Sequence, residues 1–272
     1  MDIFINEKLT NVNINNTSLY DIRSEYKPNA DVIILNGYPA TENKYLKEND
    51  KVTLIKKGEI PSFEELESLM ISRHTPNIHK KIKSGKVLIL GLGGLGSNIA
   101  ISLARIGVGH LILADFDIVE PSNLNRQQYF ITDIGKYKTE ALKSNIANIN
   151  PFIRTTTVNK LIDSSNIIKF NDVDIIIEAF DNPKYKAEIA NTVLTKMRDK
   201  YLISSSGMAG FYDSNIIKTK KIRDKFYICG DETYEAKEGE GLMAPRVSIC
   251  ANHMANLALQ ILVKKYITKD EG

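Results

Sequence analysis

The stretch GKVLILGLGGLGSNIAISLARIGVGHLILADFD, residues 85–117, decides the fold. An apolar strand runs into glycines at 91, 93, 94 and 96, a helical segment follows from near Ser97, and a second apolar strand ends at Asp115. That order is the first unit of a parallel, doubly wound Rossmann-like sheet. Gly91, Gly93, Gly94 and Gly96 permit a tight turn and let the N–H groups of a helix N-terminus approach phosphate oxygens closely. Asp115 stands where a carboxylate accepts the hydrogens of both ribose hydroxyls. The turn by itself suits NAD, FAD and ATP equally.

The next residues discriminate among these ligands. IVEPSNLNRQQYF, residues 118–130, puts Asn123, Arg126 and Gln127 in a polar loop at the carboxyl edge of the sheet. A hydride-transfer cofactor needs no extra cation beside its phosphates. Phosphoryl or adenylyl transfer does, because charge develops on the attacked phosphorus and on the leaving pyrophosphate. Arg126 is one such cation, and Lys138, heading the helical run YKTEALKSNI, is available as another. Asp181 leaves the apolar strand VDIIIEAF at the same edge. It suits magnesium beside a triphosphate, and it equally suits an N-cap for the following helix.

Outward from this centre, strands IRTTTV, VDIIIEAF and YLISSS alternate with helical runs, as in a sheet covered on both faces. A last long run, RVSICANHMANLALQILVKKYI from residue 246, is rich in small and apolar residues. The first 60 or so residues read differently: strand, strand, helix, strand, strand, which is the β-grasp order of ubiquitin-like domains. GEIPS, residues 58–62, punctuates the chain, and Ser62 with Glu65 is a capping-box spacing for a connecting helix. The expected organisation is a β-grasp domain over residues 1–58, a linker with connecting helices over 59–84, and a nucleotide-binding domain over 85–272.

Composition excludes several classes. The chain of 272 residues carries a net charge of only +3 with its lysines spread out, which argues against a nucleic-acid or membrane partner. No apolar run suffices to cross a bilayer, and MDIFINEKLTN lacks the basic and then apolar regions of a signal peptide, so a cytoplasmic protein is expected. Two cysteines, Cys229 and Cys250, make no disulfide framework and no paired-cysteine zinc site. The four histidines have no ligand-spaced partners.

Taken together, GLGGLGSN, LADFDIVEPSNLNRQ, IGKYKTEAL, INP and EAFDN resemble the ThiF/MoeB/HesA family, relatives of the ubiquitin-activating enzymes. The likeness runs from about residue 73 to the final helix, and GLMAPRV, residues 241–247, points to the thiamine-biosynthesis ThiF subgroup. The resemblance implies an ATP-dependent adenylyltransferase. In that family the C-terminal glycine carboxylate of a ubiquitin-like sulfur carrier attacks the α-phosphorus of ATP. It makes Asp115 the ribose ligand, Asn123, Arg126 and Lys138 the groups that hold the triphosphate, and Asp181 the magnesium aspartate. Ser97, Asp117 and Gln127 join the four glycines in the nucleotide-binding set. Arg73 matches an arginine that reaches into the partner's site, which implies a homodimer.

Three departures qualify the resemblance. The paired C-x-x-C zinc motifs of many relatives are missing, so no structural zinc is expected. The loop GDETYEAKEGEGLMAP has no cysteine to form a persulfide-linked intermediate, so the chemistry stops at the adenylate and another protein delivers sulfur. The first 58 residues look like ThiS, the carrier itself, but the working Gly-Gly tail is replaced by KKGEIPS. Such a domain cannot be a substrate unless the chain is cut after Gly58, and is otherwise either a docking or regulatory module or a stabilising appendage. Competing readings are the same chemistry on a molybdopterin-type carrier or on modified tRNA, an NAD(P)-dependent oxidoreductase, and a non-catalytic nucleotide-binding regulator.

Overall fold

The computed structural model describes residues 1–6, 8–13, 17–60, 66–67, 69–70 and 76–270, with side chains of 76–77 and 265–270 left aside. The expected capping box at Ser62 and Glu65, and Arg73, lie outside the described residues. Two compact units divide the chain, Met1–Lys80 and Lys81–Gly272.

In the first unit, β1 (Asp2–Ile5) and β2 (Lys8–Asn11) form a hairpin, α1 (Leu19–Tyr26) follows, and β3 (Val32–Leu35), β4 (Tyr38–Pro39) and β5 (Lys51–Ile55) complete the sheet. The strand order is β2-β1-β5-β3-β4, with β1 and β5 parallel and the other pairs antiparallel. This is the β-grasp arrangement that the element order predicts. α1 starts where it does because Ser18 and Asp21 form a reciprocal capping box. Its apolar face, Leu19 and Ile22, packs on Ile3, Ile5, Ile33, Val52 and Leu54 of the sheet. After β5 the chain is tied back to its own unit: Lys57 N–H donates to Asp31 at 2.8 Å, and Lys27 pairs with Glu59 at 2.9 Å. Gly58 turns there with φ +79°.

The second unit opens with α2 (Pro76–Lys83), whose end crosses the unit boundary, and is built on a seven-stranded sheet of order β11-β12-β10-β9-β6-β7-β8. The strands are β6 (Lys86–Leu90), β7 (His110–Ala114), β8 (Arg154–Val158), β9 (Ile175–Glu178), β10 (Tyr201–Ser205), β11 (Lys218–Arg223) and β12 (Phe226–Gly230). All neighbours run parallel except β11, which pairs antiparallel with β12. Side chains alternate between faces along each strand. Val87, Ile89, Leu111, Leu113, Ile175 and Ile177 meet α3 (Gly94–Arg105), α4 (Lys138–Ile149) and α6 (Ala244–Asp270) on one face. Leu88, Leu90, Ile112 and Ile176 meet α5 (Pro183–Lys196) on the other. The chain runs outward from β6 through β7 to β8, then returns to β9 on the opposite side of β6. The β6/β9 boundary is therefore the switch point at which such folds bind ligands.

Several details differ from the sequence expectation: the two-residue β4 and the strand β12 are not among the strands read from the sequence. α3 begins at Gly94 rather than near Ser97, because the glycines themselves adopt the first helical turn. The edge strand β11, KTKKIR, is exposed along its whole length and has no apolar alternation to announce it; its lysines suit an unpaired edge.

Ile22 is completely buried in the small unit. An Ile22→Ala substitution is expected to cost about 2–5 kcal/mol of that unit's stability. Urea unfolding followed by circular dichroism measures it, and a loss below about 1 kcal/mol would contradict the packing described.

Candidate active site at the carboxyl edge of the large sheet

Each glycine of the turn has a separate geometric task. Gly91, at φ +83°, donates its N–H to the Ala114 carbonyl at 2.9 Å, and a Cβ there would lie 2.9 Å from the Ala179 carbonyl oxygen. A Cβ on Gly96 would stand 1.8 Å from the Gly91 carbonyl oxygen, so this glycine lets α3 lie against the end of β6. A Cβ on Gly94 would meet Val247 at 2.9 Å. Gly93 alone of the four faces open space: a Cβ on it would have Gln127 Nε2 as its nearest neighbour, at 3.9 Å. It is also the N-cap of α3 and supplies no side-chain cap, leaving the helix N-terminus to an external acceptor.

Two carboxylates and a lysine frame this turn. Asp115, 8% exposed, accepts the Leu92 N–H through Oδ2 at 2.6 Å and the Asp117 N–H through Oδ1 at 2.8 Å. Tyr129 donates its hydroxyl to the Leu92 carbonyl at 2.9 Å. Burial, aided by the nearby Asp115 charge, drives its phenol well above the usual value, so it stays a donor. The Lys138 ammonium, 8% exposed, pairs with Asp117 at 2.8 Å.

The polar loop is stapled to the helix start. Asn98 donates to the carbonyls of Gly94 at 2.7 Å and Arg126 at 3.1 Å, and its oxygen accepts from Gln128 at 2.7 Å. Ser97, fully buried, donates to the Gly93 carbonyl at 2.7 Å and accepts the Gln128 N–H at 3.1 Å. Its hydroxyl is thus committed to holding the turn. Asn123 is buried and caps its own turn by accepting the Glu120 N–H at 3.0 Å. Arg126 lies over Gly94, its guanidinium donating to the Ser122 carbonyl at 3.2 Å and to Asn125 at 2.8 Å. Its Nε and the Gln127 Oε1 are buried without a hydrogen-bond partner, two unsatisfied groups beside the open glycine.

At the neighbouring strand end, Asn182 is the N-cap of α5, accepting the Lys184 N–H at 2.9 Å. The capping task open to Asp181 is therefore taken. Asp181 itself is exposed and makes no hydrogen bond or ion pair with another described residue. Among the described residues no group of three or more His, Cys, Asp or Glu is arranged to hold a metal.

Sequence reasoning did not find two buried charge networks. Glu178, Lys186, Ser204 and Ser205 join at the ends of β9 and β10. Arg246 pairs with Asp231 and donates to the carbonyls of Tyr212 and Asp213, each at 2.8 Å, while Tyr212 and Tyr234 stack 3.6 Å apart beside it. This second network fastens the loops after β10 and β12 to the start of α6. The signal for the first was a glutamate closing an otherwise apolar strand; for the second, an arginine opening an apolar helix. Both cysteines are buried, with burial raising the Cys229 thiol and pushing Cys250 up to about 12.

Residues 66–271 match the ThiF family and residues 1–58 match ThiS-like ubiquitin. A doubly wound sheet with an open glycine turn at its switch point defines a nucleotide-binding class. Within it, the chain belongs to the ThiF family. It is 37% identical over 105 residues to the probable adenylyltransferase/sulfurtransferase MoeZ of Mycobacterium tuberculosis, covering 38% of this chain and 27% of that protein. It is 36% identical over 135 residues to the tRNA threonylcarbamoyladenosine dehydratase of Bacillus subtilis, covering 48% of this chain and 52% of that one. The chain thus spans about a quarter to a half of these curated relatives. Among solved structures, Escherichia coli tRNA N6-threonylcarbamoyladenosine dehydratase in complex with ATP superimposes with a TM-score of 0.67 at 20% identity, covering 77% of this chain and 99% of that one. That likeness is one of fold.

Two stability outcomes follow from the glycine geometry. Gly93→Ala, an N-cap at negative φ and in open space, is expected to cost about 1–2 kcal/mol, whereas Gly96→Ala is expected to lose about 3 kcal/mol or more. Equal melting temperatures for the two would contradict the assignment. Thiol titration at a mildly alkaline pH is expected to label neither cysteine in the folded protein and both after denaturation; rapid labelling of either in the native state would refute their burial.

Proposed function

We propose that this chain adenylates the C-terminal glycine carboxylate of a ThiS-type sulfur carrier, using ATP and magnesium. The observation that carries the reading is the carboxyl edge itself. An open helix N-terminus, the unsatisfied Arg126 Nε and an Asp181 carboxylate with no partner among the described residues lie at adjacent strand ends. A dinucleotide oxidoreductase gives no reason for those charges.

In this reading the backbone around Gly93 and the start of α3 hold phosphate oxygens. Asp115, already oriented by two backbone N–H groups, has lone pairs left for ribose hydroxyls, and Gln127 lies beside Gly93. Arg126 and Lys138 bear on the triphosphate, with Lys138 exchanging Asp117 for a phosphate oxygen; Asn123 keeps the Arg126 loop in shape. The residues fit magnesium: a single free carboxylate completes a shell otherwise made of phosphate oxygens and water, which is how this ion is commonly held. Asp181 would hold it, and its charge would screen the phosphates. The incoming carboxylate is already ionised at neutral pH, so no general base is required. Its oxygen bonds to the α-phosphorus while the bond from that phosphorus to the bridging oxygen breaks, and pyrophosphate leaves with the electron pair. Arg73, outside the described residues, is assigned to the partner's site in a homodimer.

The fused ThiS-like domain supports a carrier as substrate class, since the same chain carries a carrier-like module. With Gly58 continuing into Glu59, and that segment tied to Asp31 and Lys27, the module is a substrate only if the chain is cut after Gly58; uncut, it serves in docking or regulation or as a stabilising appendage. A second reading, activation of the carboxyl group of a modified tRNA base, draws on the dehydratase likeness, while the small net charge weighs against it.

ATP–pyrophosphate exchange is expected to require a separate carrier with an intact Gly-Gly end. Arg126→Ala and Lys138→Ala are each expected to lower it about 100- to 1000-fold with melting temperature preserved. Exchange indifferent to the carrier's end, or stimulated by tRNA in its place, would overturn the proposal.

A further inference from the structure

Glu178 has no part in the chemistry above, yet it is 1% exposed at the end of β9. Its carboxylate accepts from Lys186 Nζ at 3.1 Å through each oxygen, from Ser204 Oγ, and from the Phe180 N–H at 2.7 Å. Lys186 also donates to Ser205 Oγ at 3.1 Å. Taking the Glu178 carboxylate out of water is costly even with Lys186, whose side chain stays 22% exposed, beside it, and apolar side chains of similar volume commonly stabilise a fold as well or better. Stability is therefore a weak reason for this network, and its position supplies another.

Glu178 stands in register with Leu90, the last residue before the glycine turn. The Ala179 N–H donates to the Leu90 carbonyl at 2.8 Å, and the Ala179 carbonyl is the atom against which Gly91 is packed. The bond from the Phe180 N–H back to Glu178 then curls the chain out of the sheet, and the next residue is Asp181. Lys186, one helical turn into α5, fixes the carboxylate that fixes this curl. An exposed aspartate with no partner among the described residues depends on such a backbone for its placement.

We propose that Glu178 and Lys186 are positioning residues that set the exit of β9, and so present Asp181 beside the phosphate turn for a divalent cation. The inference rests on the metal assignment to Asp181 made above. With the backbone pinned, metal binding does not have to order the strand exit; with the pin removed, it does, at a cost in cation affinity.

The test uses the full chain with ATP and manganese as a spin probe in place of magnesium, reading bound cation by electron paramagnetic resonance without turnover. Lys186→Met is expected to weaken manganese binding about tenfold or more, with ATP binding in the absence of metal unchanged within about twofold. Since Lys186→Met strands a buried charge at a cost to folding, the Glu178→Gln/Lys186→Met double variant leaves none and is expected to show the same loss. Lys186→Arg, keeping the cation, is expected to recover most of the affinity. Wild-type manganese affinity in either folded methionine variant overturns the inference. Asp181→Asn separates the two claims: if it weakens manganese binding while the methionine variants do not, only the positioning role fails; if it has no effect, the metal assignment falls and takes this inference with it.

Discussion

The Asp115 carboxylate, buried at the end of β7, accepts the Leu92 N–H through one oxygen and the Asp117 N–H through the other. Hydrogen bonds to a charged acceptor contribute about 1.5–3 kcal/mol each, enough to choose one conformation for a short loop. The first bond pins the glycine turn between β6 and α3. The second sets the direction of the chain leaving β7, hence the place of Asp117 and of the Lys138 ammonium paired with it. Tyr129 closes the same turn from its carbonyl side. The turn and the chain leaving β7 are thus held in one arrangement by the protein's own hydrogen bonds and this one ion pair.

Around that clamp the work is divided among residues that look alike in sequence. Of four glycines, two make room for backbone packing, one for Val247, and one leaves a face open. Of the polar side chains nearby, Ser97, Asn98 and Asn123 satisfy the loop internally, while Arg126 and Gln127 retain unsatisfied atoms. Hydrogen-bond saturation separates side chains whose polar atoms are used within the loop from those with an atom left over, and it sorts the motif residues more finely than their spacing does.

Much of this was legible in the sequence because it is written in local patterns. Short alternating strands in the first unit, continuous apolar runs in the second and glycine punctuation put the strands read from the sequence in the right chain order, and the charged residues that follow β7 and β9 lie at the edge proposed to bind nucleotide. What escaped depends on contacts between distant segments. The Glu178–Lys186 pair joins a strand to a helix through Ser204 and Ser205 of the next strand, and Arg246 meets Asp231 across a loop whose sequence has no regular period. The choice between magnesium ligand and N-cap at Asp181 was open in one dimension; the cap geometry of Asn182 narrows it. The exposed lysine strand β11 was missed because nothing on either of its faces is buried. A β-grasp unit of ThiS-like type precedes a ThiF unit in one chain, and the continuation past Gly58 is as plain in the sequence as in the fold.

The most direct measurement of the central claim is the intact mass of candidate carriers with free Gly-Gly ends after incubation with this protein, ATP and magnesium. The account predicts a carrier heavier by one adenylyl group, formed by the wild-type protein and formed about 100- to 1000-fold more slowly by Arg126→Ala. A folded, nucleotide-bound protein that leaves every such carrier at its original mass, while NADH competes with ATP for the glycine turn, would contradict it.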